Sequence, residues 1–199
     1  MEVLNAVEMS HRFIEPLLAQ ATLLVDATAG NGNDTLFLAR MASDNAKIWA
    51  FDVQSAAIEK TRALLVKHDV LSKVTLVAES HEMLAAHVLG GIDAVMFNLG
   101  YLPGASRNII TRPQSTTAAL KFALKQLNPG GRITIVAYPG FLEGAQEETE
   151  ITRFLATLDQ LHFTVASWSM LNQRNQPPRL YVVEKRRSER RETTASRKN

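Results

Sequence analysis

The sequence predicts an α/β fold: a mostly parallel seven-stranded sheet, helices on both faces, and an antiparallel hairpin at one edge. Three observations carry this reading. Short β-branched or apolar runs recur every roughly 20 to 40 residues from about residue 22 onward. Segments with helical apolar spacing lie between most of them. Near the end, two strand-like runs follow each other with no room for a helix between them. Strands alternating with helices build a parallel sheet covered on both faces. Two strands joined by a short connection pair antiparallel.

Residues 1–20 read as a helix laid against the sheet, and Pro16 predicts that it breaks or restarts there. Five strands are then expected at Leu23–Asp26, Lys47–Asp52, Val74–Val77, Ala94–Asn98 and Arg132–Ala137. Helical spacing shows at Ala56, Ile58, Leu64 and Leu65, and again at Ala118, Leu120, Ala123, Leu124 and Leu127. Asn128-Pro129-Gly130-Gly131 reads as a helix stop and turn. A glutamate-rich helix is expected over Glu143–Gln160, and the edge hairpin over His162–Ser169 and Arg179–Glu184, joined by Leu171–Pro178. From Arg186 the chain keeps no apolar residue except Ala195. Residues 1–185 are therefore expected to form a single domain, and 186–199 a basic, disordered tail.

At 199 residues and 46% apolar content, one globular core is expected and wholesale disorder is excluded. No apolar run approaches the length of a membrane span. The first ten residues carry two glutamates and no basic stretch, so no secretory signal is expected. Zero cysteines exclude disulfides, zinc ribbons and thiol chemistry, and fit a reducing cytoplasm. Charge is uneven along the chain. Residues 185–199 hold seven Lys/Arg and two Glu, which leaves 15 basic against 18 acidic residues in 1–184.

Val25-Asp26-Ala27-Thr28-Ala29-Gly30-Asn31-Gly32-Asn33-Asp34-Thr35 joins the first strand to its helix. Gly30 and Gly32 permit a tight turn and close approach of backbone to a ligand. Asn31 and Asn33 place amide side chains beside it. Asp52 ends the second strand, 22 residues beyond Gly30, where a carboxylate accepts hydrogen bonds from both ribose hydroxyls of an adenosine ligand. A dinucleotide fingerprint needs a third glycine where this chain has Thr35. Asp26 and Asp34 make the turn acidic, which suits the amino group and sulfonium of S-adenosylmethionine better than two phosphates. A glycine pair alone is common, and a tight turn with nothing bound is the plain alternative. The turn and Asp52 together favour an adenosine site.

Glu79-Ser80-His81-Glu82 follows the third strand. Taken alone, Ser80 and His81 read as caps of the next helix or as surface residues. Phe97-Asn98-Leu99-Gly100-Tyr101 ends the fourth strand, at the switch point where open α/β sheets bind ligands. There the Asn98 amide oxygen can accept from a substrate amine and Tyr101 can stack on a base. A strand-ending asparagine and a loop-packed tyrosine are the alternative. The five histidines show no metal-ligand spacing, so no metal is expected. Arg107, Arg112, Arg174 and Arg179 fall in loops near the same sheet edge, where arginines hold RNA phosphates or simply solvate a surface.

Five parallel strands closed by such a hairpin is the Rossmann-like layout of class I methyltransferases. The strings Asp26-Ala27-Thr28-x-Gly30-Asn31-Gly32-Asn33-Asp34-Thr35, Asp52-Val53-Gln54, Phe97-Asn98-Leu99-Gly100-Tyr101-Leu102-Pro103-Gly104 and Asn172-Gln173-x-Asn175-x-Pro177-Pro178 carry a sharper likeness. From about Ser10 to Lys185 the chain resembles the bacterial rRNA methylase family of S-adenosylmethionine-dependent enzymes. Members of that family methylate 5-aminomethyl-2-thiouridine at the tRNA wobble position. The resemblance implies S-adenosylmethionine as cofactor, held by Asn31, Asn33, Asp52, Gln54, Ser80 and His81, and tRNA as partner. It also moves His81 from cap to cofactor ligand. With Asp26, Gly30 and Gly32 from the turn, these residues are the expected cofactor site, and Asn98 and Tyr101 the expected catalytic pair.

Two departures fall on the substrate side. The family's usual Tyr-x-Gly-His-x-Gly-Gly is Tyr138-Pro139-Gly140-Phe141-Leu142-Glu143-Gly144 here, and its Gly-Gly-Asp-Lys stretch is Gly104-Ala105-Ser106-Arg107. Methyl transfer to the aminomethyl group of a wobble uridine is thus the leading expectation. Methylation of another RNA base or a small molecule, and RNA binding without turnover, stay open. A cytoplasmic enzyme, with a homodimer possible, completes the expectation.

Overall fold

The computed structural model describes residues 3–100 and 111–187. Its helices are α1 (Ala6–Leu18), α2 (Asn33–Met41), α3 (Ser55–Lys67), α4 (Leu84–His87), α5 (Pro113–Gln126) and α6 (Leu142–Ala156). Its strands are β1 (Leu23–Asp26), β2 (Lys47–Phe51), β3 (Val74–Val77), β4 (Ile92–Asn98), β5 (Leu127–Ala137), β6 (Phe163–Trp168) and β7 (Arg179–Lys185). The seven strands form one sheet in the order β3-β2-β1-β4-β5-β7-β6. β1 to β5 are parallel. β7 inserts antiparallel between β5 and β6, so the expected hairpin does close the sheet.

Alternation along the strands sends neighbouring side chains to opposite faces. Val25, Val95, Phe97, Ile133 and Ile135 pack with α5 and α6 through Ala119, Leu120, Ala123, Ile151 and Leu155. Leu24, Ile48, Ala94 and Met96 pack with Ile14 and Leu18 of α1, Leu38 of α2 and Leu65 of α3. Both faces are covered, as β strands buried on both sides require. β6 is the exception: Thr164 to Ser167 are exposed at the sheet's edge. Among the described residues no helix is long and apolar enough to cross a membrane.

The break expected at Pro16 does not occur. α1 opens on a capping box between Asn5 and Glu8 and runs through Pro16 to Leu18. Pro16 lies in the last turn, where its missing N–H removes a single bond. Ile14 and Leu18, buried on either side of it, hold the helix on the sheet. Arg132 on β5 adds a hydrogen bond from Nη1 to the Phe13 carbonyl, at 2.7 Å.

The Asn128–Gly131 stretch is also more than a turn. α5 ends at Gln126, and β5 begins at Leu127, which already pairs with Ile92. The register then shifts before Ala94 pairs with Arg132. Gly130, at φ 83°, supplies the left-handed residue that such a bulge needs. α6 is shorter than expected because Asp159 starts a turn: its side chain accepts from Leu161 N at 2.8 Å and its carbonyl from His162 N and Phe163 N. At the other end of the hairpin, Arg186 still donates from its backbone to the His162 carbonyl at 2.8 Å. Most of the expected tail, 188–199, lies outside the described residues.

Asp93 ties the starts of three strands. Its carboxylate accepts from Thr22 N, Thr22 Oγ1, Leu23 N and Asn128 Nδ2, at 2.7 to 3.2 Å. Burial opposes its charge, but the four donated bonds outweigh burial and hold its pKa below the usual carboxylate value. This group therefore stabilises the fold above about pH 4, and its contribution is lost as pH falls through the depressed pKa. Asp93→Ala is expected to cost about 1 kcal/mol at neutral pH, the value of a partly solvated hydrogen-bond set. Denaturant melts at pH 7 and pH 3 check this, because the gap between wild type and variant should narrow in acid.

Candidate active site

The carboxyl ends of β1, β2, β4 and β5 open onto one cavity of about 1730 Å³. A small-molecule site needs roughly 300–1,000 Å³, so this one has room for a nucleoside cofactor and a second group beside it. Its lining includes Gly30, Asn31, Asn33, Asp34, Asp52, Gln54, Ser80, His81 and Asn98. Topology places it there: β1 and β4 are neighbours in the sheet although their crossovers run in opposite directions, which leaves a crevice at their ends.

The glycine turn is shaped by two left-handed residues, Gly30 at φ 55° and Gly32 at φ 85°. A Cβ on Gly32 would lie 3.0 Å from Thr61 Cα, so the turn packs closely on α3. Gly32 itself is not in the cavity wall; it makes the turn that puts Gly30, Asn31 and Asn33 there. Asp52 reads the turn directly. Its Oδ2 accepts from Gly30 N and its Oδ1 from Gln54 N, both at 2.9 Å. Each oxygen keeps lone-pair capacity toward the cavity.

Asp26 lies beneath the cavity floor, fully buried. It accepts from Thr28 N at 3.0 Å and Thr35 Oγ1 at 2.5 Å, and so shapes the turn from below. Burial, with the nearby Asp34 charge, raises its pKa to about 7. Ser80 caps the short 3₁₀ turn His81–Met83 by accepting from Glu82 N. His81 is buried against the edge of Phe97, and Nδ1 lies 3.2 Å from the Ala27 carbonyl. Burial lowers its pKa to about 4 despite that hydrogen bond, so the ring is neutral at physiological pH.

Asn98 is held from three sides. Its backbone N–H donates to Thr28 Oγ1 at 2.7 Å, joining the β1 turn to the end of β4. Its Nδ2 donates to Asp34 Oδ2 at 3.1 Å, and its Oδ1 accepts from Tyr138 OH at 2.9 Å. Asp34 is anchored in turn by His11 Nε2 at 2.6 Å, whose ring stacks on Phe37 with centroids 4.0 Å apart. Burial and the Asp34 charge raise the Tyr138 pKa, which keeps the phenol a donor. The amide is therefore oriented, with one acceptor site of Oδ1 left over. His11 carries no motif that singles it out, and Tyr138, though it opens the Tyr138–Gly144 string, has no role that its spacing alone assigns.

The other expected catalytic residue, Tyr101, lies outside the described residues, as do Ser106 and Arg107. Arg112 and Phe141 line the cavity. Arg174 is exposed, whereas Arg179 is engaged: Nη1 meets Glu148 Oε1 at 2.6 Å, and Tyr181 OH bonds the same oxygen. Among the described residues no group of three or more metal-ligating side chains converges.

A sheet of this order, with a glycine turn and an acidic β2 end facing one cavity, is the architecture of S-adenosylmethionine-dependent methyltransferases. Within that class the chain belongs to the rRNA methylase family, whose model, described as "Putative rRNA methylase", matches residues 48–184. A chloroplastic tRNA (mnm(5)s(2)U34)-methyltransferase of Arabidopsis thaliana is 34% identical over 192 residues, covering 91% of this chain and 70% of the relative. A solved structure titled "putative rRNA-methylase", from Clostridium thermocellum, superposes with TM-score 0.91 at 38% identity, covering 93% of this chain and all of the other. A Streptococcus mutans structure, titled "putative methyltransferase" and solved in complex with SAH, superposes with TM-score 0.85 at 40% identity, covering 92% and 99%.

The cavity suits S-adenosylmethionine on this chain's own geometry. Gly30, with no Cβ, lines the cavity beside Asp34 and Asp52, and Asp52 keeps lone-pair capacity there. Asp26 provides a test. Its raised pKa means its contribution to stability is greatest below the usual carboxylate pKa of 3.8 and is lost as pH rises through about 7. A bound cation favours the ionised form, so cofactor binding near pH 7 should release a fraction of a proton. Calorimetry in two buffers of different ionisation enthalpy measures it; a binding enthalpy independent of buffer would contradict the expectation.

Proposed function

We propose that this enzyme methylates the aminomethyl group of a tRNA wobble uridine, with S-adenosylmethionine as donor. The observation that carries the reading is Asn98: an amide locked by Tyr138 and Asp34 at the end of β4, beside the cofactor turn, with one acceptor site unfilled. Such a group takes a hydrogen bond from a neutral amine and aims its lone pair. The name of the Arabidopsis relative supports a wobble-uridine substrate.

The bound cofactor supplies a methyl group already activated as an electrophile. The protein's task is then alignment, exclusion of water and keeping the amine neutral. In this reading Asn31, Asn33, Asp52 and Gln54 hold the nucleoside, Ser80 and His81 the adenine side, and Asn98 the amine. Tyr101 is assigned the stacking role. Arg112, exposed at the rim, faces RNA phosphate. Residues 1–185 act as the catalytic unit and the basic 186–199 segment as an RNA-facing arm, in the cytoplasm.

Labelled S-adenosylmethionine with bulk tRNA, followed by nucleoside mass spectrometry, tests the proposal. Label on a 5-aminomethyl uridine derivative supports it. Label on another base, or cofactor binding without transfer, overturns it.

A further inference from the structure

Behind His81 a buried hydrogen-bonded unit runs from the cofactor wall to the two residues flanking 101–110. His81 Nε2 lies 3.4 Å from Thr116 Oγ1 on α5, and that hydroxyl lies 2.7 Å from Glu147 Oε1 on α6. Glu147 Oε2 accepts from Thr111 Oγ1 at 2.6 Å, and Thr111 Oγ1 accepts from Gly100 N at 2.9 Å. Thr111 N donates to the Gly100 carbonyl at 3.1 Å and completes the closure. Glu147 is 3% exposed and Thr116 fully buried, so water cannot serve their lone pairs.

Counting protons assigns the state of this unit. The Ala27 carbonyl can only accept, so His81 Nδ1 carries the hydrogen of the neutral ring and Nε2 presents a lone pair. Thr116 has one hydroxyl proton and two neighbours, Nε2 and Glu147 Oε1, that both need it if Glu147 is ionised. With His81 held neutral by burial, a proton on Oε1 resolves the conflict. Glu147 then donates to Thr116, Thr116 donates to His81, and Thr111 donates to Oε2.

We propose that Glu147 is a positioning residue that works as the neutral acid, latching the His81 wall of the cavity to Gly100 and Thr111. The inference rests on reading this cavity as the methyl-transfer site. The groups facing Glu147 agree. Burial raises its pKa and the Glu150 charge adds to that, while the Thr111 and Thr116 hydroxyls pull the other way. His81 is held neutral by burial. As pH rises and the proton is lost, Thr116 must abandon either His81 or Glu147, and the latch loosens.

Glu147→Gln tests this, because its amide donates to Thr116 and accepts from Thr111 as the neutral acid does. Infrared difference spectra between wild type and this variant at pH 7 should show a protonated carboxyl band in wild type alone. Amide hydrogen exchange at Gly100 and Thr111 should match wild type in Glu147→Gln and speed up at least tenfold in Glu147→Ala. Corrected for intrinsic exchange, wild-type protection should fall as pH rises through the titration of Glu147, while Glu147→Gln stays flat. A carboxylate band in wild type, or a Glu147→Gln protein that exchanges like the alanine variant or fails to fold, overturns the proposal. None of these readouts needs catalysis, so failure to methylate tRNA would remove the functional reading and leave the latch standing.

Discussion

Asp52→Ala is expected to weaken S-adenosylmethionine binding by about 1.5–3 kcal/mol, roughly 10- to 150-fold, the worth of hydrogen bonds to a charged group. The carboxylate does two things at once. It accepts from Gly30 N and Gln54 N, and so fixes the turn against the end of β2. Its remaining lone pairs face the cavity, where the proposed reading has them meet the ribose hydroxyls. Removing it therefore strips a ligand contact and frees two backbone donors. Asp52→Asn separates the roles, since one amide oxygen still accepts from the backbone while charge is lost. Calorimetric affinity with a thermal melt for each variant resolves the two. Wild-type affinity in Asp52→Ala would take Asp52 out of the cofactor site.

Asn98→Ala should cost the methyl-transfer rate roughly 100-fold or more, because losing the group that aims the reacting nitrogen misplaces it at the distance scale where rates collapse. tRNA affinity should change little, since phosphate contacts dominate RNA binding. Tyr138→Phe leaves the amide in place but removes one neutral hydrogen bond to it, about 1 kcal/mol or roughly fivefold in rate. The pH profile adds a sign. Only the neutral amine attacks, and the raised Tyr138 pKa keeps the phenol protonated, so the rate should climb with pH until the amine is deprotonated. Single-turnover rates against pH for the three proteins decide the matter. Wild-type turnover in Asn98→Ala would place the amine somewhere other than the end of β4.

Much of the backbone could be read locally. β1 and β3 fall on the expected residues, because a short apolar run bounded by polar residues has few other ways to bury itself. The glycine turn and Asp52 were equally legible, since left-handed backbone and a strand-end carboxylate leave a mark in residue type and spacing. Pro16 shows the limit: its local signal to break the helix loses to Ile14 and Leu18 packing on either side of it.

The side-chain constellation of the site lies beyond local reading altogether. Asn98 was visible as a strand end, but its partners Thr28, Asp34 and Tyr138 stand 70, 64 and 40 residues away. Glu147 looked like one more glutamate on a polar helix, yet α6 turns it inward to meet Thr111 and Thr116, 36 and 31 residues before it. Periodicity reports which face of an element is buried and is silent on what meets it there. That is settled by strand order: β4 lies between β1 and β5, so the turn, the amide and the phenol converge although nothing in their own neighbourhoods calls for it.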